Sequence, residues 1–182
     1  MKVKALFIGI FFLYGTLTYG GDHFSIEATG CYFQPTEQAF KDVYGGGMSY
    51  GVEFGVTVWR WIGLWLGGDY FSNKGESTFS KDRVELQIIP IHGGLKFQIQ
   101  NSRLRPYAGA GIGYFKYEET TPFSKVDKGE IGYIGQLGCL LKVGGGLFFD
   151  FKGSYSYCGA KPKDMRANLG GLKAGVGVGV EF

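Results

Sequence analysis

The stretch Gly171-Leu172-Lys173-Ala174-Gly175-Val176-Gly177-Val178-Gly179-Val180-Glu181-Phe182 decides how this chain is to be read. Leu172, Ala174, Val176, Val178, Val180 and Phe182 alternate with Gly171, Lys173, Gly175, Gly177, Gly179 and Glu181, and no position breaks phase. A β-strand sends successive side chains to opposite faces. One face of this strand is therefore apolar, and the other carries glycine and charge. A strand of about ten residues with that pattern suits a barrel wall that has lipid outside and a polar interior.

Working back from this segment, the same period of two recurs. Leu147, Phe149, Phe151, Gly153, Tyr155 and Tyr157 oppose Phe148, Asp150, Lys152, Ser154, Ser156 and Cys158. Ile131, Tyr133, Leu137, Cys139 and Leu141 oppose Glu130, Gly132, Gln136, Gly138 and Lys142. Tyr50, Val52, Phe54, Val56 and Val58 oppose Ser49, Gly51, Glu53, Gly55 and Thr57, and Phe24, Ile26, Ala28, Gly30 and Tyr32 oppose Ser25, Glu27, Thr29 and Cys31. Three further segments are less regular. Residues 62–71 place Leu64 and Leu66 opposite Trp65, and residues 106–117 are glycine-rich with no assignable faces. Residues 84–99 shift phase near Pro90 to Gly94, where a β-bulge would supply the extra residue. The polar breaks at 34–47, 72–82, 118–129 and 159–170 are long, whereas those at 59–61, 100–105 and 143–146 are short. The prediction is all-β: an eight-stranded antiparallel up-and-down transmembrane β-barrel with long extracellular loops and short periplasmic turns.

The beginning of the chain supports export. Met1-Lys2-Val3-Lys4 precedes the apolar run ALFIGIFFLY at residues 5–14, and Thr18 and Gly20 sit at the −3 and −1 positions of a cleavage site. This is the layout of a secretory signal peptide, and the run is too short to span a bilayer as a helix. Residues 1–20 are read as that signal and residues 21–182 as one barrel domain. Cleavage removes Lys2 and Lys4 and takes the formal charge from +3 to +1, which leaves no basic face for nucleic acid. The 33 glycines, 12 tyrosines and 16 phenylalanines fit strands that need close backbone approach and aromatic interfacial anchors. Three cysteines (Cys31, Cys139 and Cys158) make no disulfide framework, and nothing supports a bridge between Cys31 and Cys158. No cofactor or metal is expected.

The inward face is expected to carry Glu27, Glu53, Glu85, Glu130, Asp150 and Glu181 with Lys142, Lys152 and Lys173. Eight strands enclose a space that side chains fill. Charges buried there must pair, so an ion-pair network is the expectation and a conducting pore the alternative. Lumen glycines such as Gly51, Gly55, Gly175, Gly177 and Gly179 leave room for large side chains opposite. Trp59 and Trp61 mark a periplasmic girdle, and Tyr32, Tyr50, Tyr70, Tyr117, Tyr155 and Tyr157 an outer one.

The motifs Ile88-Ile-Pro-Ile-His-Gly-Gly-Leu-Lys-Phe97 and Arg105-Pro-Tyr-Ala-Gly-Ala-Gly-Ile-Gly-Tyr114 resemble the middle strands of the OmpA/OmpX-like family of small outer-membrane barrels. The segment Val176-Gly-Val-Gly-Val-Glu-Phe182 is similar to the C-terminal assembly signal of that family. The resemblance implies a cell outer-membrane location, and periplasmic chaperones and the barrel-assembly machinery as partners in biogenesis. That machinery would read Val176, Val178, Val180 and Phe182. It also implies contact with outer-membrane lipid and lipopolysaccharide. Larger members carry a peptidoglycan-binding domain after the barrel, and the chain is expected to lack one.

Chemistry-bearing motifs are sparse. Gly109-Ala-Gly-Ile-Gly113 lacks the spacing and the following helix of a dinucleotide loop, so strand glycines are the plain reading. Some barrels resembling this one are lipid-A-modifying enzymes that use a His and a Ser. Here His92 neighbours Gly93 and Gly94 rather than a serine, and His23 lies at the start of the first strand, on the periplasmic side. Lys161, Lys163 and Arg166 on the fourth loop suit lipopolysaccharide phosphates or plain solvent. Phe40, Tyr44, Phe79 and Phe123 are candidate loop contacts for an extracellular ligand. Three functions remain in play: a structural or surface-interaction barrel, a small porin or transporter, and a lipid-modifying enzyme. The first is the expectation.

Overall fold

A computed structural model describes residues 24–76, 83–100, 103–121, 124–160 and 167–182. The expected signal peptide, His23, Phe79, Phe123 and the basic residues Lys161, Lys163 and Arg166 lie outside them. Eight long strands close into a single barrel: β1 (Phe24–Pro35), β2 (Gly47–Trp59), β3 (Ile62–Glu76), β4 (Arg83–Gln98), β5 (Leu104–Thr121), β6 (Ser124–Gly144), β7 (Leu147–Tyr157) and β10 (Gly171–Glu181). Each pairs antiparallel with its sequence neighbours, and β10 closes the ring on β1 from Ser25↔Glu181 to Pro35↔Gly171. A short helix, α1 (Gln38–Tyr44), follows β1, and a two-residue ladder joins β8 (Gly159–Ala160) to β9 (Ala167–Asn168). Among the described residues no helix is long and apolar enough to cross a membrane.

Alternation decides which way each strand faces. On β10, Leu172, Val176 and Val178 lie exposed on the outer wall while Gly177 and Gly179 face inward. On β7 the outer residues are Phe149, Phe151, Tyr155 and Tyr157, and Phe148, Asp150 and Ser156 are buried inside. This is the inverse of a water-soluble barrel: grease outside, charge within. Such an outer wall is at equilibrium in hydrocarbon. The short-turn end carries Trp59 at 75% and Trp61 at 66% exposure. Toward the long-loop end Tyr50 pairs with Tyr70 and Tyr133 with Tyr157, all outward. Tyr117 is not in that belt. It is buried inside the barrel, and Tyr114 and Tyr133 stand on the outer wall instead.

The tight β6–β7 connection shows why glycine is needed there. Gly144, Gly145 and Gly146 have φ of 134°, 60° and 82°, a region closed to most side chains. The register also slips beside this turn, between Lys142 and Gly144, and beside the β2–β3 turn, between Thr57 and Trp59.

Three sequence expectations need correcting. First, no bulge interrupts Pro90 to Gly94, because β4 keeps one register with β5 from Glu85↔Thr120 to Gln98↔Tyr107. The pattern changes because the lumen changes: Leu86 and Ile88 face an apolar interior, and His92 and Lys96 face a polar one. It follows that Glu85, beside inward Leu86, lies on the outer face and is not a lumen group. Second, much of 72–82 and all but the tip of 118–129 is hairpin rather than loop. Pairing runs out to Glu76↔Arg83 and to Thr121↔Ser124. Polar residues such as Glu118 to Thr121 fill consecutive positions there instead of alternating with apolar ones, so composition alone read as loop. Third, Phe40 and Tyr44 do not project from the first loop as contact residues. Phe40 is buried and Tyr44 packs against the same core.

Candidate functional site

The barrel interior is the only region where functional groups converge among the described residues, and it is built in layers. At the short-turn end Glu181 on β10 holds Arg105 on β5 (Nη1 to the carboxylate oxygens at 3.1 and 3.3 Å) and Lys142 on β6. Phe148 lies buried on the inner face of β7.

The middle layer is a five-charge cluster. Antiparallel pairing sets Glu27 of β1 directly opposite Glu53 of β2. Two buried carboxylates side by side repel. Lys152 reaches across from β7 and answers both, with Nζ 2.9 Å from Glu27 Oε1 and 3.3 Å from Glu53 Oε2. The same ammonium is 3.4 Å from Asp150 Oδ2. Lys96 of β4 also donates to Glu53 and sits 4.4 Å from the centroid of the Tyr107 ring. The Tyr107 hydroxyl donates to Asp150 Oδ2 at 2.6 Å. Glycine makes this crossing possible. Strand β10 lies between β1 and β7, and a Cβ on Gly177 would run into the Glu27 carboxylate, and one on Gly179 into the Phe148 ring. Large and small residues thus alternate across the lumen, as a narrow barrel requires.

Above this lies Asp69 of β3. It binds Lys173 of β10 and accepts from His92 Nε2 at 3.0 Å. The His92 ring packs on Trp65 with centroids 5.1 Å apart. A cavity of about 20 Å³ opens among Glu53, Asp69, His92, Gln136, Lys152 and Lys173, with Ser154 also on its wall. That is room for about one water. Among the described residues His92 Nδ1 and Gln136 Nε2 have no partner, and no serine bonds to His92.

The long-loop end is closed by grease. Phe33, Phe71, Leu86, Ile88, Phe115, Tyr117, Cys158 and Leu169 form one buried cluster, and α1 lays Phe40 over it. Phe33 meets Phe71 edge-on at 4.9 Å and Phe40 at 6.4 Å. The helix is tied down on two sides. Asn73 Nδ2 donates to the Tyr44 and Gly46 carbonyls at 2.7 and 3.3 Å, and Asn168 Nδ2 donates to Thr36 Oγ1 at 3.1 Å. Phe40→Ala is expected to leave the barrel intact while loosening this cap. Limited proteolysis should cut the loop about tenfold faster, since ~1.4 kcal/mol of local opening is a factor of ten.

Of the residues expected in the lumen, Glu27, Glu53, Asp150 and Lys152 meet in one cluster, Lys173 meets Asp69, and Lys142 meets Glu181. Glu130 stays apart. Its carbonyl lies 3.9 Å from Cys158 Sγ, and it makes no ion pair among the described residues. Lys96, Asp69, Tyr107 and Arg105 complete these pairs and were missed. Lys96 was hidden by the apparent phase change in β4. Asp69, two residues beyond inward Gly67, carried a legible signal in its parity. All three cysteines are free, and Cys31 and Cys158 do not bridge. Val176, Val178 and Phe182 lie exposed on the outer wall, with Phe182 N bonded to Phe24 O at 2.8 Å; Val180 is half-buried on the same face.

Charge inside, grease outside and closure by eight antiparallel strands define a small transmembrane β-barrel. Solved structures with this fold include Neisserial surface protein A (TM-score 0.70, 17% identity, 90% of this chain and 100% of that one) and the outer membrane protein OprG from Pseudomonas aeruginosa (TM-score 0.74, 15% identity, 89% and 96%). The attachment invasion locus protein Ail of Yersinia pestis also shares it, at a TM-score of 0.58 and 14% identity over 90% of this chain and 100% of that one. No family model and no curated protein matches the sequence.

Proposed function

We propose that the protein is an integral outer-membrane barrel, exported by residues 1–20, with a plugged lumen and a structural or surface-interaction role. The observation that carries this reading is the filling of the interior. The charged cluster around Lys152 and the apolar cluster beneath α1 occupy the lumen in series, and the cavity between them has room for about one water. Hydrated ions need a wider path. The buried Asp69–His92 pair speaks against an exposed lipid-modifying centre, because a lipid cannot reach a group held inside the wall at 7% exposure. In this reading Val176, Val178, Val180 and Phe182 guide the assembly machinery and then face lipid. The Tyr belt meets the lipopolysaccharide leaflet, and the loops and hairpins meet any external ligand. Solved neighbours named as outer membrane proteins, OprG and the major outer membrane protein of Thermus thermophilus among them, support the location.

The test has two parts. The folded protein is expected to migrate differently on a gel before and after boiling, from the outer-membrane fraction. In planar bilayers it is expected to give no open-channel steps. Sustained conductance would replace the plug with the small-porin reading.

A further inference from the structure

Two buried polar side chains bring opposite needs to one cavity. His92 Nε2 stands 3.0 Å from Asp69 Oδ2. A carboxylate only accepts, so Nε2 carries the hydrogen, and Nδ1 of the neutral ring is an acceptor. Among the described residues nothing donates to it. Gln136 Nε2 is the converse, a buried amide donor with no acceptor among the described residues. His92 on β4 is 7% exposed and Gln136 on β6 4%, and both line the cavity of about 20 Å³. Glycine gives them room to reach it. A Cβ on Gly67 of β3 would stand 2.9 Å from His92 Cε1, and one on Gly109 of β5 3.0 Å from Gln136 Cγ. The other titratable groups on the cavity wall are Cys31 of β1, Glu53 of β2, Asp69 of β3, Lys152 of β7 and Lys173 of β10. Among the described residues the lumen ion pairs set five cations against five carboxylates, so their charge balances without a further ion.

We propose that this cavity binds one water, which accepts from Gln136 Nε2, donates to His92 Nδ1 and so holds His92 as the neutral ring with its hydrogen on Nε2. The site rests on the plugged-lumen reading and adds the molecule that completes the plug. Water fits because it donates and accepts at once, and the volume suits one. A chloride would answer Gln136 but not the acceptor at Nδ1, and it would meet the carboxylates of Glu53 and Asp69. A metal cation would meet the ammonium groups of Lys152 and Lys173. The Ser154 hydroxyl, on the same wall, can supply the third bond that a buried water usually makes. The bond at one ring nitrogen fixes what the other does, so this water orients the hydrogen that His92 gives to Asp69. It also links β6 to β4, which are separated in the barrel by β5.

The experiment is NMR on the isotope-labelled, folded barrel in lipid nanodiscs, comparing wild type with Gln136→Leu. Heat-modifiability and bilayer conductance are scored first. Open-channel steps undo the plugged-lumen reading itself, whereas closed barrels test this site alone. At neutral pH the wild-type His92 imidazole is expected to carry hydrogen on Nε2 only, with His92→Gln assigning its signals apart from those of His23. Water is expected to give cross-relaxation peaks to the His92 ring with the sign of a long-lived bound molecule. Gln136→Leu is expected to lose those peaks while the barrel still shifts on the gel. If that variant does not fold, the wild-type spectrum decides alone. Absent water peaks in a closed wild-type barrel, or a hydrogen on Nδ1, would overturn the proposal. So would water peaks that persist in folded Gln136→Leu. Water peaks that disappear when sodium chloride replaces sodium gluconate would overturn it too, because the site would then hold an anion.

Discussion

Lys152→Met is expected to destabilise the barrel by about 3–5 kcal/mol, the cost of breaking a buried ionic cluster by removing one partner. The side chain is nearly isosteric, so packing changes little and the charge term dominates. Lys152 lies within 3.4 Å of oxygens from Glu27, Glu53 and Asp150. Without it, Lys96 answers only Glu53, and Glu27 keeps no cation. Urea unfolding in detergent or lipid, followed by tryptophan fluorescence, reads the loss as a lower midpoint at unchanged slope. Adding Glu27→Gln to Lys152→Met is expected to restore part of the stability, because it removes the stranded charge rather than another bond. A single variant as stable as wild type would show that the cluster is hydrated enough to screen its charges, and that the lumen is not plugged there.

Leu66→Arg is expected to cost about 2–4 kcal/mol, the penalty for an arginine on a lipid-facing strand near the bilayer midplane. Leu66 is 57% exposed on the outer wall, between Phe54 of β2 and Gly93 of β4. In a barrel surrounded by water the same substitution would be neutral or helpful, since it replaces exposed grease with charge. The sign therefore separates the two solvents. Thr57→Arg, in the wall beside the short turn, would be a poor control because it sits beside a register slip. Ile99→Arg, exposed just past the end of β4 at the same end and away from that slip, is expected to cost no more than about 1 kcal/mol. Folding yields into liposomes should fall in the same order. A stable, detergent-free Leu66→Arg protein would refute the membrane assignment.

Much of this was legible along the chain. Strict alternation from Gly171 to Phe182, and in β1, β2 and β7, assigned inner and outer faces correctly, because a strand's period of two does not depend on its neighbours. Alternating break lengths gave the strand count. Legibility failed where the solvent changed along a strand. In β4, Leu86 and Ile88 point inward like His92 and Lys96, but into grease rather than charge. One strand then looked like two phases, and Glu85 was sent the wrong way. The same effect hid Tyr117, which is aromatic like the girdle residues but closes the mouth from within.

The sequence by itself determined the strand count and the inner and outer faces of the regularly alternating strands, which follow from local periodicity and turn chemistry; the side that meets lipid was read from the signal-peptide layout, the girdle aromatics and Phe182. Only the tertiary structure decided who pairs with whom inside. Glu27, Glu53, Lys96, Asp150 and Lys152 come from four strands; β1 and β2 are paired neighbours, but β4 and β7 reach them only across the closed lumen. Lys173 on β10 likewise reaches Asp69 and His92, on the paired strands β3 and β4, only across the lumen. Such contacts depend on register, shear and the glycine gaps on β10, and Coulomb attraction between distant strands leaves no mark on one-dimensional order.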